Sequence, residues 1–429
     1  MRRARPVSRL CLRRSLVLTA LAVFALPGAL RAQDASSADA AAIRGFSAQE
    51  LALLGPALDR GPVLLSQFRE ASHPLPSVII ALRVHAPPDV VRDVIAAPED
   101  YPGFMPALDS IALEERQGMQ TAYRWRWQVS VFELEGRNSM TVYPGDAARG
   151  HRIDVRSLGG DMGAGRMRWR VRPDGEGRSL VVLASRIDMR DANYLAEQLA
   201  SGGTSVQRSI TLSLATVMAL GTQREAERRA GFERPVPTEL DALARPDLDP
   251  LALAPVLARG DLVFLELAGD AVARVAFVGR SAATEEDVRA VMNDPEEFGR
   301  TLVHGSTAEV LDRREDGSMR FSWGIPIPLV GLSGQMRLHP SPATEVHVEG
   351  VAGALRSGHF HFDTVAFPWG EAAIVGWARF DIRETSRLVR RIVDADRDFA
   401  KGLSAATQVM VIRSMRRRAM ALRDARRRG

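Results

Sequence analysis

The chain is almost without cysteine: Cys11 is the one thiol in 429 residues. It lies ahead of an apolar run expected to be removed on export, so no disulfide, thiolate nucleophile or cysteine metal ligand is expected in the mature protein. The sequence also lacks a GxSxG nucleophile turn, a phosphate-binding loop of the P-loop type, an HExxH zinc pair and a dinucleotide-binding glycine pattern. Long apolar runs are scarce as well. The longest near the N-terminus, Ser15 to Leu30, is sixteen residues interrupted by Pro27 and Gly28, short of the roughly 20 that a spanning helix needs.

What is present at the N-terminus is a charged stretch, that short apolar run and small residues near Ala32, the layout of a secretory signal peptide over residues 1–32. "LRRSLV" loosely resembles a twin-arginine export signal. Cleavage near Gln33 would remove seven arginines and no acids, taking the formal net charge from +5 to −2. The basic balance therefore belongs to the address segment, and nucleic acid as a partner loses its main support. A 46% hydrophobic share with 25% charged residues suits a globular chain with real cores, and the length suits two or three domains.

The sequence then repeats itself. "VRDVIAAPEDYPGF" from Val91 matches "VRAVMNDPEEFGRT" from Val288 at an offset of 197, and "YRWRW" from Tyr123 matches "MRFSW" from Met319 at 196. "SRIDMR" from Ser185 matches "ARFDIR" from Ala378 at 193, and "LALLGPALDRG" from Leu51 is echoed by "LALAPVLARG" from Leu251. A drifting offset means two copies of one domain with small loop insertions. The copies are expected over 47–230 and 251–429, joined by the proline-spaced segment 231–250.

Each copy reads as an edge strand ("GPVLLSQF", "GDLVFLEL"), a second strand, a short helix, a run of strands and a long closing helix. Thr284 and Asp287 make a short capping box, Pro87 and Pro88 open the matching helix, and Pro98 and Pro295 end the pair. Tyr123, Trp125 and Trp127 alternate with Arg124 and Arg126, so one strand face is apolar and the other wet. Stripes of Val206, Ile210, Leu214 and Val217, and of Leu403, Ala406, Val409 and Ile412, mark the inner faces of the closing helices.

This order, with the "APEDYPGFMP" signature at Ala97 to Pro106, resembles the START-like or SRPBCC superfamily, and within it the polyketide cyclase and coenzyme Q-binding START branch. Glu99, Asp100, Tyr101, Phe104 and Pro106 fit the signature; the second copy departs from it with Phe298, Thr301 and Val303. The resemblance implies an α+β fold of two helix-grip domains, each a curved antiparallel sheet wrapped around its long C-terminal helix with a hydrophobic cavity between. The implied cavity residues are Tyr101, Phe104, Tyr123, Trp125, Trp127 and Trp169 in the first copy. In the second they are Phe298, Phe321, Trp323, Phe360 and Phe362. The alternative is that the rings only fill the core.

Other constellations read as structural. "GGDMGAG" from Gly159 opens no helix and reads as a loop. "HFHF" from His359, with His347 within reach, places its histidines on a solvated outer face by analogy with "RMRW" from Arg166, so no metal is expected. Arg186 with Asp188, and Arg379 with Asp381, read as ion pairs. The eight arginines from Arg413 to Arg428 read as a solvated helix end, with contact to an anionic membrane surface as the alternative. The resulting expectation is an exported, non-catalytic binder or carrier of an apolar small molecule (a lipid, isoprenoid, sterol or polyketide-like compound) with no cofactor. A polyketide cyclase or dehydratase and a tandem scaffold with filled cores are the alternatives.

Overall fold

The computed structural model describes residues 44–68, 77–129, 132–161, 163, 165–187, 204–234, 243–269, 271–299, 301–302, 305–327, 330–341 and 345–428. From residue 44 onward they form one compact body.

The first half opens with α1 (Ala48–Leu58). Its cap is reciprocal: the Ser47 hydroxyl accepts the Glu50 N–H, and the Glu50 carboxylate accepts the Ser47 N–H at 2.7 Å. Then come β1 (Val63–Gln67), β2 (Val78–Val84), α2 (Pro88–Ala96) and a 3-10 turn over Pro98–Gly103. Six strands follow: β3 (Leu108–Gln117), β4 (Gln120–Val129), β5 (Phe132–Asp146), β6 (Gly150–Gly160), β7 (Arg166–Pro173) and β8 (Ser179–Arg186). The long helix α3 (Thr204–Arg229) closes the half.

The second half repeats the order. It runs α4 (Ala254–Leu257), β9 (Gly260–Ala268), β10 (Ala271–Ser281), α5 (Glu285–Met292) and α6 (Pro295–Gly299). Next are β11 (Thr307–Arg313), β12 (Met319–Ile327), β13 (Val330–His339), β14 (Val346–Gly353), β15 (His359–Ala366) and β16 (Ala372–Arg379). After a 3-10 turn at Ile382–Glu384 come α7 (Arg387–Ala395) and the long α8 (Asp398–Arg426). Thr284 and Asp287 form the expected capping box at α5, and Pro88 stands in the first turn of α2.

The two "edge" strands are not edges. β1 and β9 pair antiparallel and join everything into one 16-stranded sheet, whose outer edges are β3 and β11. Aligning Gly61 with Gly260 makes Val263 the counterpart of Leu64, and these two residues face each other in the ladder. A strand pairing with its own repeat in this way is the isologous contact of a symmetric dimer, here within one chain. Apolar side chains on both faces suit β1 to that central place: all five of its residues are buried.

Two cores follow from the sheet's two faces. On one, α3 and α8 pack with the inner side chains of both halves in a continuous cluster. On the other, α1 and α4 cover the central strands with Leu54, Leu58, Val256 and Leu257, which explains why the lead-in sequence recurs. Leu214 and Val217 of α3, and Ala406, Val409 and Ile412 of α8, are buried as their spacing requires; the side chains of Val206 and Ile210 lie outside the described residues.

The ladder also corrects the alignment of the halves. Trp125 pairs with Gly136 and Trp323 with Gly334, an offset of 198 where the sequence match reads 196. The slip is even, so it leaves every side chain on its expected face. Matching bulges lie between Arg137 and Asn138 and between Gln335 and Met336, which bend the two halves alike.

Candidate functional site

The corner at Ala97 to Pro106 brings its rings to one end of the first half's core. α2 stops because Pro98 cannot continue it, and the chain tightens into the 3-10 turn. Tyr101 is buried there, its hydroxyl donating to the Ile95 carbonyl, and Phe104 meets it edge to face at 5.7 Å between centroids. Beneath them lies a cavity of about 50 Å³. Its aromatic wall is Tyr101, Tyr123, Trp125 and Trp127; Met105, Met167 and Met218 come from the turn, β7 and α3, and Leu108, Ile111 and Asn138 complete it.

Asn138 is the one amide in that lining. Its oxygen accepts from the Tyr123 hydroxyl and from Trp125 Nε1, each at 3.3 Å, while its NH2 donates to the Arg137 carbonyl at 3.1 Å. Both cavity phenols are kept neutral. Burial, with the neighbouring Tyr123 adding to it, pushes the Tyr101 hydroxyl well above the usual phenol range, and burial pushes Tyr123 up to about 12. Among the described residues the lining contains no carboxylate, histidine, lysine or arginine. Asp100 of the signature points away, paired with Arg229 of α3 at 3.0 Å, and Glu99 pairs with Arg116 at 2.8 Å.

The sequence of this region matches a known family. Residues 78–219, from β2 into α3, match the family model described as "Polyketide cyclase / dehydrase and lipid transport". The fold is START-like. Among solved structures the chain is similar to the Zhui aromatase/cyclase from Streptomyces sp. R1128, at 20% identity over 36% of this chain and 94% of that one, with a TM-score of 0.31. It is similar to the di-domain ARO/CYC StfQ from the steffimycin biosynthetic pathway at 13% identity, over 81% of this chain and 99% of that one, TM-score 0.27. It is also similar to a STAR-related lipid transfer protein fragment from Xanthomonas axonopodis at 14% identity, over 39% and 94%, TM-score 0.31. No curated protein matches the sequence.

In the START-like first half, Tyr101, Tyr123, Trp125 and Trp127 of the residues named from the sequence line this space. Trp169 is buried in the same core, and Phe104 packs on its margin. In the second half Phe321, Trp323, Phe360 and Phe362 are buried together. Phe362 meets Phe277 at 6.3 Å and Phe360 stacks on Phe380 at 5.4 Å between centroids. The side chain of Phe298, in α6, and the residue Val303 lie outside the described residues. The sequence reading passed over Met105, Met218, Leu108, Ile111 and Asn138. Only Met167 carried a signal, through the inward alternation of "RMRW".

Three further expectations are corrected by geometry. Asp381 pairs with Arg383 at 2.7 Å and caps the 3-10 turn, leaving Arg379 out; Asp188 lies outside the described residues. The histidine face is solvated only in part: His339, His347 and His359 are half-buried and His361 is buried. His361 is stacked on Trp377 at 5.2 Å and on His347 at 4.5 Å, and His347 stacks in turn on His339 and His359 at 5.5 Å each. The cause is overhead: residues ahead of α4 lie across this face, with the Leu243 carbonyl accepting from Trp377 Nε1 at 2.9 Å and Arg245 pairing with Asp363. Among the described residues no group of three or more metal-binding side chains is arranged to hold an ion.

The terminal arginines are mostly fasteners. Arg413 and Arg416 reach the fully buried Asp261 of β9, Arg418 pairs with Glu297, and Arg426 with Glu286 at 3.0 Å. Arg417 donates to the Thr301 carbonyl and Arg423 to the Ala282 carbonyl at 2.9 Å. Arg417, Arg426, Arg427 and Arg428 are exposed toward the outer end of α8.

Proposed function

We propose that the chain binds an apolar small molecule in the first-half cavity and performs no chemistry on it. The observation that carries this reading is the lining itself: aromatic and methionine side chains, one amide, and two phenols that stay protonated across the physiological range. A volume of about 50 Å³ is far below the roughly 300–1,000 Å³ of drug-sized sites, so the bound state is a widened one. Met105, Met167 and Met218 supply the means, because unbranched thioether side chains repack at low cost. Affinity would come from burial of apolar surface, at about 25 cal/mol per Å² before ordering costs.

A cyclase or dehydratase needs an acid or base beside the reacting carbon. The family description includes such enzymes, but among the described residues the lining offers neither group. The signal-like N-terminus supports export as the setting, where a carrier for a poorly soluble molecule has a use. Native mass spectrometry of the protein after mild extraction from its own cells tests the carrier reading. A small apolar adduct that denaturation releases is the expected result, and a bare polypeptide mass under conditions that preserve a loaded control carrier counts against it.

A further inference from the structure

The cavity holds one donor that the fold does not use. Trp127 is only 4% exposed and lines the cavity, and its Nε1–H has no hydrogen-bond partner. Leaving a buried N–H unpaired costs roughly 1–3 kcal/mol; Trp323 of the second half also has an unpaired Nε1, but among the described cavity-lining residues Trp127 alone carries that cost. Its neighbour shows the contrast. Trp125, two residues earlier on the same strand face, has its Nε1 satisfied by Asn138. Packing alone would be served equally well at position 127 by phenylalanine, which has the ring and no polar atom.

We infer that the ligand of this cavity carries a carbonyl oxygen that accepts the hydrogen bond of Trp127 Nε1, an inference that rests on the binding reading above. The choice of carbonyl follows from what the site offers. The Asn138 oxygen already takes two donors, and the Tyr101 hydroxyl is spent on the Ile95 carbonyl. A carbonyl brings an acceptor only and is met by this one donor, whereas a ligand hydroxyl would also bring a donor, for which the phenol oxygens of Tyr101 and Tyr123, each already donating its own hydrogen, are the acceptors left. A pure hydrocarbon would leave Trp127 as it stands.

The test uses the full chain and two probes of one shape, 2-acetylnaphthalene and 2-isopropenylnaphthalene, in which C=O is exchanged for C=CH2. Trp127→Phe is expected to weaken the ketone about tenfold, the equivalent of one net hydrogen bond, and to leave the alkene within about twofold. In the unaltered protein, the ¹⁵N-labelled indole N–H of Trp127 is expected to shift downfield with saturating ketone and not with alkene. This second readout holds even where the variant fails to fold. Equal weakening of both probes, or a Trp127 indole resonance unmoved by bound ketone, overturns the carbonyl inference while the apolar site stands. Failure of both probes to bind the unaltered protein overturns the site and the inference together.

Discussion

Trp125 and Trp323 show how single residues shape both halves. Each indole lies over a glycine of the next strand, and a Cβ built on Gly136 would sit 2.5 Å from the Trp125 ring. On Gly334 it would sit 2.8 Å from two backbone oxygens and 3.1 Å from Trp323 Nε1. Neither site can take a methyl group without moving a tryptophan or the strand. Gly136→Ala and Gly334→Ala are therefore each expected to cost roughly 1–3 kcal/mol. Gly103, with open space around its Cβ position, serves as the control, and its alanine variant should stay within about 0.5 kcal/mol. Urea unfolding of the three variants measures this; equal stability of all three would show that the indoles do not rest on those glycines. The aromatic face itself was legible in the sequence because strand alternation depends only on parity, so an alignment two residues out still put the rings inside. Asn138 was not legible, since its role depends on which residue the neighbouring strand sets beside it.

At the scale of elements, the strands β13 to β16 carry the largest departure from the sequence reading. Alternation placed His359 and His361, with His347 beside them, on the face away from the main core, and they are there, joined by His339. What alternation cannot supply is the cover, because the chain ahead of α4 crosses that face only in the folded molecule. Burial, and then the neighbouring His361, His339 and His359, push His347 down to about 4, against a smaller opposing pull from Glu349. The direction fixes the consequence. An unfolded histidine takes its proton near pH 6.5 and the folded one does not, so this contribution to stability is complete above that pH and is lost as pH falls toward 4. His347→Gln should flatten the fall in unfolding free energy between pH 6.5 and pH 4, read from urea titrations at several pH values. A slope unchanged by the substitution would place the acid sensitivity elsewhere. Short-range features fared better: the Thr284 capping box and the proline stop at Pro98 are set by residues within one turn, and they stand where the sequence put them.

The whole molecule adds what no local pattern contains. The repeat was plain in the sequence, but how the two copies meet was not, because a strand that pairs with its own counterpart reads the same as an edge strand. In the structure the meeting line is β1 against β9, with Asp261 of β9 held by Arg413 and Arg416 of α8. Arginines that looked like a free basic tail thus fasten the last helix to the central sheet. In the second half Phe277 with Phe362 and Phe360 with Phe380 meet in ring pairs, and in the first a small apolar space is walled by aromatic rings and methionines. The claim that this space is a binding site is tested most directly by methyl NMR of the full chain with ¹³C-labelled methionine, titrated with 2-isopropenylnaphthalene. Binding there predicts saturable shifts of Met105, Met167 and Met218, with Met319 and Met336 of the second half unmoved; shifts confined to other methionines, or none at the probe's solubility limit, would contradict it.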